Sequence, residues 1–149
     1  MSAENNVPEN IFTETEAVVE FYDVDSMQIV WYGNYIKFFD IGRRALFEKI
    51  GYNFEKIKTD YIFPIVDIKV KYINSLRFLD RIRIKSFLTE YENGLKMKYE
   101  IWNTQTGELA AKGSTTQMVL DIKTGVPCFN CPAGLIDKIK SIEVSPKFG

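Results

Sequence analysis

The chain has 149 residues, enough for one domain with a real core and too few for two. Hydrophobic residues make up 46% and charged residues 26%, which excludes a disordered chain and a membrane-embedded one, and the net charge of -1 supplies no field to recruit nucleic acid or an anionic membrane. With His at 0, His-based triads, His metal ligands and imidazole general bases are all excluded, so catalysis is left to carboxylates, hydroxyls, backbone dipoles, Lys or Cys.

The first ten residues, MSAENNVPEN, have no basic stretch leading into an apolar one, and no apolar run in the chain approaches membrane-spanning length. A cytoplasmic protein is expected, with a flexible amino terminus over 1–12 and a single domain over 13–149. Residues 14–22 are rich in β-branched and aromatic side chains and run into the polar Asp23-Val24-Asp25-Ser26, so a first strand ends in a loop. From Tyr35 the apolar positions Tyr35, Phe38, Phe39, Gly42, Leu46 and Ile50 follow helical spacing, and Gly51 stands where a C-terminal cap belongs. This predicts one amphipathic helix of about four or five turns. Asn34 is a natural N-cap, with Tyr32-Gly33 an alternative start, and Lys37, Asp40, Arg44 and Glu48 are expected on the wet face.

After a polar connection the period becomes alternating. Residues 66–72, 81–85 and 95–101 each read as a strand with one buried and one wet face, and turn signals at Glu92-Asn93-Gly94 and 104–107 make them a meander into a fourth strand over Glu108 to Leu120. Lys123-Thr124-Gly125 closes it, and Pro132 opens a short amphipathic C-terminal helix. Cys128 and Cys131 lie in a Pro-punctuated loop; a zinc site needs about four ligands, so the pair reads as ordinary reduced thiols. One long helix must bury its apolar stripe against a curled antiparallel sheet, an α+β domain whose open sheet edges invite self-association.

The densest segment is Phe21 to Tyr35. Asp23-x-Asp25 ends the first strand and Ile29-Val30-Trp31-Tyr32-x-Asn34-Tyr35 opens the helix. This pattern resembles the signature of the hotdog-fold thioesterases, especially the 4-hydroxybenzoyl-CoA thioesterase type, and the likeness extends more loosely through Pro64-Ile65-Val66 and the meander, over about residues 14–130. The family commonly carries Gly before the Ile/Val, where this chain has Met27-Gln28, and many relatives have His where Tyr32 stands.

The resemblance implies a hotdog fold and hydrolysis of an acyl thioester, from acyl-CoA or an acyl carrier protein, by a homodimer or homotetramer that uses no cofactor or metal. It implies Asp25 as nucleophile or general base, the backbone N–H of Tyr32 as oxyanion donor, and substrate-binding roles for Trp31, Gly33, Asn34 and Tyr35. The chemistry is compatible: a solvated Asp is ionised at neutral pH, thioesters are activated acyl donors, and a helix N-terminus offers free N–H groups and a positive dipole end. Alone, an Asp before a helix is more often a cap or turn residue. Phe38 and Phe39 are read as core. Lys69, Lys71, Arg81, Arg83, Lys85, Lys96 and Lys98 are mostly a solvated sheet face, of which a few at most would touch CoA phosphates. Hydratases on the same fold rely on a catalytic His, which this chain lacks. The non-enzymatic alternative is an acyl-binding or scaffold hotdog protein.

Overall fold

The structure is a computed structural model that describes residues 11–51 and 60–143; the expectations for 1–10, the polar connection over 52–59 and the tail from 144 lie outside them. The expected α+β arrangement is present. A five-stranded antiparallel sheet runs in the order β1 (Phe12–Val18), β4 (Arg81–Glu90), β5 (Leu95–Asn103), β6 (Leu109–Gln117) and β3 (Ile65–Tyr72). Over its inner face lies α1 (Tyr35–Ile50), packed on β4, β1 and β5. The buried residues of α1 are Tyr35, Phe38, Phe39, Gly42, Leu46 and Ile50, the stripe read from the spacing. Gly51 ends the helix at φ 77, a left-handed turn that glycine adopts without penalty, and its N–H bonds to the Phe47 carbonyl at 3.0 Å.

Two glycines set how closely helix and sheet approach. A Cβ on Gly42 would overlap Ser86 Oγ and Ile84 on β4, and one on Gly113 would overlap the ring of Phe39. With that space left open, Phe39 stacks flat on Tyr99 of β5, ring centroids 4.6 Å apart. Each large side chain fully buried here contributes roughly 1.5–3 kcal/mol of apolar burial. The Tyr99 hydroxyl is held by Thr115 Oγ1 at 2.7 Å, so its polar end is satisfied inside the core.

Several expectations are corrected. The first strand ends at Val18, and Phe21–Asp23 form a 3-10 turn, because the Asp23 carboxylate accepts the Glu20 N–H at 2.8 Å and pulls the chain out of the ladder. The meander is β4-β5-β6; β3 crosses to the far edge and pairs with β6, since the link over 73–80 is too long for a tight hairpin and its start is tied to Ala110 by the N–H groups of Ile73 and Asn74. β3 therefore has a thinner buried face than expected: α1 touches it through Tyr35 on Tyr72, Val70 packs against the core, and Ile68 and Tyr72 on the same side stay exposed. The fourth strand is divided. Met118 gives its N–H to the Pro64 carbonyl, and β7 (Val119–Asp121) joins a second sheet with β2 (Tyr61–Ile62) and β8 (Pro127–Cys128).

Cys128 thus lies on a short strand opposite Val119 and not in a plain loop. Cys131 is buried, and that burial pushes its thiol up to about 11. A thiol held neutral is a poor nucleophile. The terminal helix α2 (Ala133–Glu143) follows Pro132, whose carbonyl accepts the N–H groups of Leu135 and Ile136, and it buries Leu135 and Ile139.

Candidate active site

The two acids of Asp23-x-Asp25 part company. Asp23 is 1% exposed, and Lys37 reaches back from the first turns of α1 to pair with its Oδ1. Lys37, expected on the wet face, is drawn inward because a buried carboxylate needs a counter-charge, and its ammonium also lies 4.8 Å from the Tyr22 ring centre. The Asp23 carbonyl accepts two further bonds, from the Trp31 N–H at 3.0 Å and the Asn34 side-chain amide at 2.8 Å. Asp23 is the post that ties the end of β1 to the start of the helix. Asn34 occupies the N-cap position without capping, its amide being spent on that post.

Asp25 begins a tight turn. Its carbonyl accepts the Gln28 N–H at 2.9 Å, its own N–H goes to the Ile29 carbonyl at 2.9 Å, and its Oδ1 accepts the Met27 N–H at 2.8 Å. Gln28 takes φ 66, the left-handed region that favours glycine. That is the place where the resembling sequences carry Gly, so the turn keeps the glycine geometry with a bulkier residue in it. Val24 and Val30 bridge at its base, returning the chain to the helix start.

The helix is approached by a 3-10 turn over Tyr32–Asn34 that runs directly into α1. The first N–H groups of such a turn have no acceptor within it, and they sit at the positive end of the helix dipole. Asp25, Tyr32 and Tyr35 meet on one open cavity of about 250 Å³, together with Met27, Ile29, Val30, Tyr72, Ile73, Asn74 and Ser75. Oδ1 of Asp25 is engaged by Met27, which leaves its other oxygen available. Burial, reinforced by the neighbouring Tyr72, pushes Tyr35 up to about 12, so its hydroxyl stays neutral and donates or accepts without ionising.

Trp31, Gly33 and Asn34 lie outside that wall. The Trp31 ring covers Gly33, where a Cβ would overlap it, and Trp31 tilts against Tyr32 at 5.0 Å. Tyr72 and residues 73–75 come from the far edge of the sheet; their sequence carries no signal, since only the crossover of β3 brings them beside the helix start. Of the cationic positions, Arg83, Lys85 and Lys96 are ion-paired with Glu14, Glu16 or Glu90, whereas Lys69, Lys71 and Lys98 border a separate groove of about 480 Å³ with Lys112 on the outer face.

The sequence family that matches this arrangement spans residues 19–148. The chain belongs to the thioesterase-like superfamily. Among members related to it is the Bacillus subtilis (strain 168) protein YneP, provisionally named an acyl-CoA thioesterase, 28% identical over 118 residues covering 77% of this chain and 84% of YneP. The DHNA-CoA thioesterase of Staphylococcus aureus is 28% identical, with a TM-score of 0.73 over 79% of this chain and 80% of that one. A 1,4-dihydroxy-2-naphthoyl-CoA thioesterase from Synechocystis, 14% identical, superposes with a TM-score of 0.78 over 90% of this chain and 99% of its own, a likeness of fold. The superfamily member described here has the hotdog fold of these thioesterases, its long helix laid on an antiparallel sheet.

Proposed function

We propose that the protein hydrolyses acyl-CoA thioesters to free acid and thiol, with Asp25 as the reacting carboxylate and the Tyr32 N–H as oxyanion donor. One observation carries the reading: Asp25 and the helix start share a cavity, while the other acid of the pair is buried under Lys37. As general base, Asp25 takes a proton from water as the water adds to the thioester carbonyl, and returns it to the departing thiolate. As nucleophile, it adds to the carbonyl and expels the thiolate as the C–S bond breaks, leaving a mixed anhydride that water opens to the free acid and the regenerated carboxylate, the proton released going to the thiolate. Both routes place negative charge on the carbonyl oxygen, where a preorganised N–H at the positive end of a helix is worth most. The apolar wall of Ile29, Val30 and Ile73 and the rings of Tyr32, Tyr35 and Tyr72 suit an apolar or aryl acyl group.

The exposed apolar residues of β3, at the open edge of the sheet, support a homodimer or homotetramer in which a second copy covers Val66, Ile68 and Tyr72. No helix among the described residues is long and apolar enough to cross a membrane, and a cytoplasmic enzyme acting on diffusible thioesters is the setting proposed. The deciding experiment follows free thiol with a thiol-reactive dye across a panel of acyl-CoA and acyl-carrier-protein thioesters. Release from at least one acyl-CoA is expected. Saturable binding without cleavage of any thioester assigns the protein to the non-catalytic acyl binders instead.

A further inference from the structure

Tyr32 is held in place by little of its own. The residue is 64% exposed, with its ring against that of Trp31. Trp31 before it and Asn34 two residues after it are anchored to the Asp23 carbonyl, Trp31 through its N–H and Asn34 through its side-chain amide. Tyr32 itself is reached from elsewhere: the hydroxyl of Tyr72, the last residue of β3, donates to the Tyr32 carbonyl at 2.8 Å. The Tyr72 ring also meets that of Tyr35, the first residue of α1, edge-on at 5.1 Å and 82°. Both contacts lie on the wall of the same cavity.

We propose that Tyr72 is a positioning residue for thioester hydrolysis, aiming the Tyr32 N–H by holding the Tyr32 carbonyl. The inference rests on the reading of the site given above and adds to it a residue from the opposite edge of the sheet. The Tyr32 carbonyl belongs to the Tyr32–Gly33 peptide plane and the Tyr32 N–H to the plane before it, the two joined through the φ and ψ of Tyr32, so a hydroxyl that pins the carbonyl restricts those dihedrals and with them the direction of the N–H. A 3-10 turn has poorer hydrogen-bond geometry than an α-helix and gains most from such a pin. An oxyanion donor is worth its full amount only where the charge develops, and a misplacement of about 1 Å is costly. Tyr72 never touches the reacting atoms in this role. Its removal weakens the transition state while leaving the substrate's ground state alone.

Tyr72→Phe keeps the ring against Tyr35 and deletes only the hydroxyl. It is expected to lower kcat about tenfold, less than outright loss of an oxyanion donor, with KM within about twofold and the melting temperature nearly unchanged. A merely structural residue moves KM or stability and leaves kcat alone. The Gly33 amide belongs to the same peptide group as the Tyr32 carbonyl, so its NMR resonance should shift in Tyr72→Phe whether or not turnover is measured. An unshifted Gly33 amide, or an unchanged kcat, overturns the inference. Asp25→Asn, assayed alongside, separates the two failures: if it is inactive while Tyr72→Phe has normal kcat, only the role of Tyr72 falls. If Asp25→Asn retains full turnover, or the native protein cleaves no thioester, the reading of the site falls and the role of Tyr72 with it.

Discussion

Two acids one residue apart meet opposite fates because of where the backbone turns. The 3-10 turn at Phe21–Asp23 folds the Asp23 side chain back onto the Glu20 N–H and under Lys37, whereas Asp25, past the turn, opens onto the cavity. Asp25→Asn should therefore remove turnover by at least about 10²-fold with folding and ligand binding near normal, since a neutral amide is a poor base and a poor nucleophile. Asp23→Asn should act mainly on stability. It leaves Lys37 without its counter-charge and costs about 2 kcal/mol, read as a lower urea midpoint, with a much smaller effect on turnover. Equal, few-fold losses of activity from both would make Asp25 structural. Gln28 is a third residue whose role is set by conformation. At φ 66 it carries a left-handed cost of roughly 1–2 kcal/mol, partly offset in Gln28→Gly by the greater chain entropy of glycine, so that variant should be more stable by less than about 1 kcal/mol and remain active. A fall in its melting temperature would show that the Gln28 side chain itself holds the turn.

At the scale of elements, the contact of α1 with β4 sets the height of the helix over the sheet, and through it the position of the helix start. Gly42 is the point of closest approach, since any Cβ there runs into Ser86 Oγ and Ile84. Gly42→Ala has the better helix propensity but must lift the helix or displace Ser86, so a net loss of roughly 1–3 kcal/mol is expected. The urea midpoint should fall without change in the denaturant slope. A midpoint equal to or above the native one would show that the interface gives way easily at this point. The short second sheet and α2 close the opposite end, with Leu135 and Ile139 fully buried.

For the whole molecule, three buried groups set an alkaline limit. Burial pushes Tyr35 and Tyr99 up to about 12 from 10.0, and Cys131 to about 11 from 9.0. Each is held neutral in the folded chain at pH values where the unfolded chain has already lost the proton, so the unfolded state binds fewer protons and stability falls with rising pH. The contribution is intact below about pH 9 and is lost progressively as pH climbs through 9–12. Urea midpoints that are flat from pH 7 to 8.5 and lower at pH 10.5 are expected; a midpoint rising with alkali contradicts the assignment. Assembly belongs to this scale too. Light scattering at micromolar concentration should give a dimer or tetramer, and an active monomer would refute the covering of β3 by a second copy.

Much of this was legible in one sequence. The stripe from Tyr35 to Ile50, its Gly51 cap and the hairpin strands β4 to β6 are local patterns, fixed by side-chain spacing and turn chemistry within a few residues. Asp25 as the reacting acid comes from the family resemblance and stands as the proposal above, whereas the burial of Asp23 came only with the structure. What only the tertiary structure decided is non-local. The crossover that carries β3 to the far edge depends on pairing with β6, with Tyr72 facing Ala111, and periodicity in one strand says nothing about its partner. The pairing of Lys37 with the buried Asp23, and the Tyr72 hydroxyl on the Tyr32 carbonyl, join residues 14 and 40 positions apart. An alternating pattern fixes which side of a strand is apolar, but how far a helix covers that side is a property of the assembled layers, which is why β3 reads as half-buried yet leaves Ile68 and Tyr72 exposed.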